Sequence, residues 1–210
     1  MTAGELQAEL ANDPEYQEML RKKEAKKAAL EAELAQDEES LVQELRDAGV
    51  HVILTRIPGK EYEGVPQSVW DLVNTDASYP VAVPILVKHL QGEHHERTKE
   101  GIARALTVPE ARGIATTAVI EEFCRIDDPN SSYKWVLGKA ITETATPETV
   151  SSVVELVRDK RHGKAREWLP LALQWLPMPE AESVLQTLTS DPDVRERAIE
   201  TLDRIRERRL

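Results

Sequence analysis

Cysteine is nearly absent from this 210-residue chain: Cys124 stands alone. An intramolecular disulfide is therefore ruled out, and a reducing, cytoplasmic setting is the expectation. Aromatic residues are scarce too, at 4% with a single Phe, so a β-sandwich or barrel would lack its usual core material. No apolar run approaches the length that spans a membrane. The start, "MTAGELQAELANDPEY", has no apolar stretch of the signal-peptide kind. Basic residues fall short of acidic ones, 27 against 38, for a formal net charge of −11. That balance opposes binding to a phosphate backbone, which runs on clustered Lys and Arg, while leaving room for one local basic groove. A Gly-rich phosphate loop, a Ser–His–Asp arrangement and a metal box are all missing. No catalytic residue and no cofactor is expected, and the chain reads as a non-enzyme.

Helix formers dominate what is present. Residues 3–48 are rich in Ala, Glu, Leu and Lys. "ANDPEYQEMLRKKEAKKAALEAELAQ" begins with a cap signal at Asp13 and Pro14 at the first helical position. Its apolar residues Tyr16, Leu20, Ala28, Leu30 and Leu34 make only a thin edge. The pattern predicts a long acidic helix, or two helices jointed near "QDEES" with Ser40 capping the second and Gly49 ending it. Up to Ala48 the chain holds 13 acids and 6 bases, which a solvated face explains. A coiled-coil partner is the alternative, but the heptads are not sustained. Residues 49–78 read as an irregular connector, with a short strand or hairpin at "HVILTRIPGK" and a short helix at "SVWDLVNT".

From residue 79 onward two markers recur. Pro80, Pro109, Pro147 and Pro179 each head a segment, spaced 29, 38 and 32 residues apart. Lys99, Lys134, Arg166 and Arg195 each lead a second helix, spaced 35, 32 and 29 apart. A shared period a little over thirty residues points to helix-pair repeats. The stripes Val194, Ala198, Ile199 and Leu202, and Ala165, Leu169, Ala172, Leu173 and Leu176, would be buried only by stacking neighbouring pairs. The expected architecture is all-α: a right-handed α-α superhelix of about four pairs over 79–210, preceded by the helical segment 1–48 and the connector 49–78.

"SDPDVRERAIETLDRI" resembles the turn–Val–Arg–x–x–Ala–x–x–x–Leu pattern of HEAT repeats, particularly the lyase-associated HEAT-like kind. The resemblance covers about 79–209; Pro170 departs from it in the third pair and "RIDDPNSSY" lengthens the second. It implies a protein-binding scaffold and carries over no catalytic residue. It also implies that Lys99, Lys134, Arg166 and Arg195 form a structural ladder bonded to turn acids or carbonyls, for example Asp191 and Asp193, rather than an anion-binding stripe. HEAT-like scaffolds include alkylpurine DNA glycosylases, so a DNA-binding enzyme using Lys134, Arg166, Trp135 and Trp168 is an alternative. A purely structural module, capped by its N-terminal helix, is another.

Tyr133, Trp135, Trp168 and Trp175 are the candidate partner surface, Trp168 and Trp175 lying seven apart and so on one helical face. Burial between repeats is their plainer reading. His89, His94 and His95 crowd one turn, but without further ligands at motif spacing no metal site is expected. Glu121, Glu122, Asp127 and Asp128 are explained by capping and turn formation. Cys124, one turn after Ile120, reads as a buried structural thiol. Another protein is the expected partner, with nucleic acid and membrane not expected.

Overall fold

The computed structural model describes residues 13–55, 59 and 61–207. It is mostly helical, with one two-stranded ribbon among the described residues. Helix α1 (Pro14–Asp47) starts where Asp13 accepts hydrogen bonds from the amides of Glu15 and Tyr16 at 2.8 and 3.4 Å. It ends in a Schellman turn: Gly49 takes φ +72°, Val50 N–H reaches Leu45 O at 3.0 Å, and Gly49 N–H reaches Arg46 O at 2.9 Å.

Of the two readings of this segment the single long helix holds: α1 runs through "QDEES" unbroken, and Ser40 caps nothing. Two causes act together. Every residue there tolerates a helix, and the helix is pinned on both sides of Ser40. Glu38, 4% exposed, accepts hydrogen bonds from Ser68 Oγ at 2.6 Å and Val69 N–H at 3.0 Å, while Leu41, Val42 and Leu45 enter the core.

The connector folds as an antiparallel ribbon, β1 (Val52–Leu54) on β2 (Tyr62–Gly64), with Val52 opposite Gly64 and Leu54 opposite Tyr62. Such a ribbon is marginal alone. It is held by Thr75, whose hydroxyl accepts from Ile53 N–H at 2.7 Å, and by Val52, which is fully buried. Helix α2 (Val69–Asn74) follows, its N-terminus closed by a Ser68–Asp71 capping box.

Consecutive elements then pair. Helix α3 (Val83–Gln91) packs with α4 (Glu96–Ala105), and α5 (Thr116–Arg125) with α6 (Ser132–Thr144). Helix α7 (Val150–Arg158) packs against two 3₁₀ stretches, Lys160–Arg166 and Leu169–Trp175; α8 (Met178–Leu188) packs with α9 (Arg195–Glu207). Each second member also meets the next: α2 on α4, α4 on α6, α6 on Leu169–Trp175, and that stretch on α9. Glycines permit the close approach. A Cβ on Gly101 would meet Val69 Cγ1 at 2.6 Å, and one on Gly138 would run into the carbonyl oxygen of Ala165. One contiguous apolar core joins these layers from Leu41 to Ile205.

Three expectations are corrected. The second member of the third pair is not an α-helix. Pro170 lacks the N–H an α-ladder needs, and Gly163 at φ +49° breaks the backbone ahead of it, so the segment closes in tighter 3₁₀ turns. Its apolar residues Ala165, Leu169, Ala172, Leu173 and Leu176 are nevertheless buried. Ile199 is 41% exposed, while Ile205 is 1% exposed. The buried stripe of α9 steps from Val194 to Ala198, Leu202 and Ile205, and Ile199 sits about 100° around the helix from Ala198. Finally, Pro80 and Pro109 head short 3₁₀ turns (Pro80–Ala82 and Pro109–Ala111) that precede α3 and α5, rather than the helices themselves.

Candidate functional site

The four ladder positions fall at the starts of successive second members. Lys99 Nζ donates to Glu122 Oε1 at 3.0 Å, both residues buried. Glu122 also accepts from Tyr133 OH at 3.1 Å and from Arg125 at 2.7 Å. Lys134, 1% exposed, donates to the carbonyl of Ile126 at 2.5 Å and lies 5.0 Å over the Phe123 ring. Arg166 is 1% exposed and is the most heavily bonded: its guanidinium donates to Gly163 O, Val157 O, Asp191 and Asp193 at 2.8–3.2 Å. Burial alone would raise the Asp191 carboxyl, yet Arg166 and the Asp193 amide hold it below the usual range. Arg195 is exposed, with no following pair among the described residues to meet. Three of the four cations are thus turned inward.

The aromatic residues divide. Tyr133 is 1% exposed, and burial followed by the Glu122 charge pushes its hydroxyl pKa far up. It belongs to the interior. Trp135 and Trp168 meet edge to face, centroids 5.4 Å apart and planes at 70°, both half-buried. Trp135 Nε1 donates to Glu167 at 2.9 Å; Trp168 is flanked by Arg197 at 4.1 Å and Lys139 at 5.6 Å. Trp175 stands apart, beside Arg112 at 5.2 Å. The 3₁₀ geometry explains that separation, because seven residues at 3.0 per turn leave two side chains about 120° apart rather than aligned.

One further pair completes the face. Trp70 of α2 lies beneath Arg97 of α4, guanidinium to ring centroid 4.1 Å. The second-member layer therefore presents Trp70, Trp135 and Trp168 in chain order, accompanied by Arg97, Lys139 and Arg197. Open clefts flank Trp135. One of about 280 Å³ is lined by Val73, Arg104, Thr107, Trp135, Val136 and Lys139. Another of about 220 Å³ runs from Pro129 past Trp135 to Lys164 and Ala165. The cations here are tied by acids: Arg97 and Arg104 share Glu100, while Arg197 and Arg204 share Glu200. Trp70, Arg97, Lys139 and Arg197 escaped sequence reasoning. Their signal was nonetheless present: Trp70 and Arg97 are 27 residues apart, Trp168 and Arg197 29, each close to the spacing of the proline and basic markers.

A cleft of about 490 Å³ collects Cys124, Asp127, Lys134, Glu155, Asp159, Arg161 and His162. Its groups are not poised for nucleophilic work. Cys124 is exposed at the cleft, not buried as expected, because it lies at the solvent side of α5 beyond Phe123. Partial burial pushes its thiol up, so it stays protonated. Burial pushes Lys134 and His162 down, and Arg161 is committed to Asp159 at 2.6 Å.

The histidines join α1 to the first pair. His94 Nδ1 lies 3.3 Å from Asp37, His94 Nε2 lies 2.9 Å from His89 Nδ1, and the His95 amide donates to Asp37. Among the described residues no group of three or more His, Cys, Asp and Glu is arranged to hold a metal. No helix among them is long and apolar enough to cross a membrane. Comparison of the chain with family models, with curated proteins and with solved structures finds no match.

Proposed function

We propose that the protein is a non-catalytic scaffold, a right-handed α-solenoid of the HEAT type, that binds another protein through its second-member face. The observation that carries this reading is the row of half-buried tryptophans, Trp70, Trp135 and Trp168, with two of them stacked on Arg97 and Arg197. Trp and Arg are the residue types that dominate protein-interface energetics, and rigid indoles contribute large contact area at low entropic cost. The clefts beside Trp135 supply relief for a partner's side chains. A cytoplasmic setting belongs to the same reading, on the strength of the lone Cys124.

A DNA-binding enzyme of the glycosylase type would use the same face. Two features weigh against it: four arginines there are already matched to Glu100 and Glu200, and phosphate binding needs cations free to release counterions.

The test is photo-crosslinking capture with wild-type protein and with the Trp135→Ala/Trp168→Ala variant, beside a DNA titration at low salt. The reading expects protein adducts that the double variant loses and no DNA shift. Adducts retained at full yield by the variant, or a salt-dependent DNA shift, would overturn it.

A further inference from the structure

Helix α1 is unusual in how little of it touches the body. Residues 21–33 are exposed without interruption, over about 20 Å of helix, before Glu38 and Leu41 reach the core. Leu30 is 44% exposed and Met19 54%. Among the described residues the ion pairs of this stretch are intrahelical, Lys22–Glu18 at 3.4 Å and Lys27–Glu31 at 3.7 Å, with all four side chains more than half exposed. Such pairs contribute a few tenths of a kcal/mol and release their charges easily.

The charges are sorted into blocks. Arg21, Lys22, Lys23, Lys26 and Lys27 fall in residues 21–27, against one acid, Glu24; Glu31, Glu33 and Glu39 are the exposed acids of residues 28–39. A parallel, in-register pairing of two such helices would set like charge on like. An antiparallel pairing crossing at Leu30 does the opposite. It lays residues 21–27 of each copy along residues 33–39 of the other, twice over by symmetry, sets Lys27 against Glu33 on the Leu30 side of each helix, and brings the two exposed Leu30 side chains together.

We propose that the projecting part of α1 is a self-association surface whose occupant is the same segment of a second copy, antiparallel and centred on Leu30. The proposal rests on α1 alone and is independent of the tryptophan face. The contact is a single helix pair burying about 1,000 Å² or less, below the size of standard stable interfaces, so the dimer dissociates in the micromolar range and weakens with salt.

Sedimentation velocity on the full chain tests this, with circular dichroism confirming that each variant stays folded. Wild type is expected to show a monomer–dimer equilibrium that shifts toward monomer at 0.5 M salt. Lys27→Glu alone, and Glu33→Lys alone, are each expected to weaken association about fivefold or more. Mixing those two variants restores opposite charge on both halves of the interface and is expected to recover the dimer. A wild type that stays monomeric at every concentration would refute the proposal. So would dimerisation indifferent to both reversals, or a mixture that does not associate.

Discussion

Arg166→Met is the most informative single substitution. Arg166 is 1% exposed and bridges the third pair to the fourth, donating to Val157 O and Gly163 O on its own side and to Asp191 and Asp193 across the junction. Methionine keeps much of the volume but removes every donor. Asp191, 6% exposed, is left as a buried carboxylate without its cation. Breaking one side of a buried pair costs about 3–5 kcal/mol. For a chain of this size that lowers Tm by roughly 6–20 °C, followed by circular dichroism at 222 nm. Because the folded Asp191 pKa is depressed, the contribution is present above the unfolded carboxylate value and is lost as pH falls through the folded one. The wild-type advantage over Arg166→Met should therefore shrink in acid. Replacing both partners, Arg166→Met with Asp191→Leu, should recover part of the loss, since no unpaired charge remains. A Tm drop under about 3 °C for the single variant would refute the clamp.

Other outcomes follow from the same packing. Gly138→Ala drives a methyl into the backbone carbonyl of Ala165 and should cost about 1–3 kcal/mol by urea unfolding, whereas a neutral result would mean the α6 contact is looser than described. Burial, the largest influence on His89, depresses its pKa below 6.5 despite Glu44. Its stabilising contribution is thus full above that value and falls as pH drops through it, so wild type should lose more stability between pH 7.5 and 5.5 than His89→Gln; equal losses would contradict this. Arg197→Ala uncovers one side of Trp168 and should increase acrylamide quenching of its emission, with unchanged quenching the contrary result.

Much of the helix-pair order was legible because it depends on local chemistry. Proline and basic markers at a common period placed the pairs, and the stripe Val194, Ala198 and Leu202 named buried residues correctly. What escaped depends on backbone state or on contacts a repeat away. Nothing in "AREWLPLALQWL" alone says that Pro170 and Gly163 together turn a kinked helix into 3₁₀ turns, and that change carries Trp175 away from Trp168. Ile199 was misplaced by one residue in a stripe where one residue means about 100°. A long helix through "QDEES" was one of two readings the sequence allowed, and what decides for it, Glu38 held by Ser68 and Val69, lies thirty residues on. Of the candidate surface, Trp135 and Trp168 were singled out from their composition, but Tyr133 was not separable from them. Its ring is buried and its hydroxyl is satisfied by Glu122, a partner eleven residues back. The Arg97 and Arg197 stacks required one second member to be laid on the next.

The account stands on pairs that pack chiefly on their neighbours along the chain, and hydrogen exchange by mass spectrometry on Arg166→Met tests that most directly. Severing the third junction should speed exchange in α8 and α9 first, while the amides of α3 and α4 keep their wild-type protection. Uniform loss of protection from α3 through α9 would contradict it, showing one indivisible core in place of a stacked array.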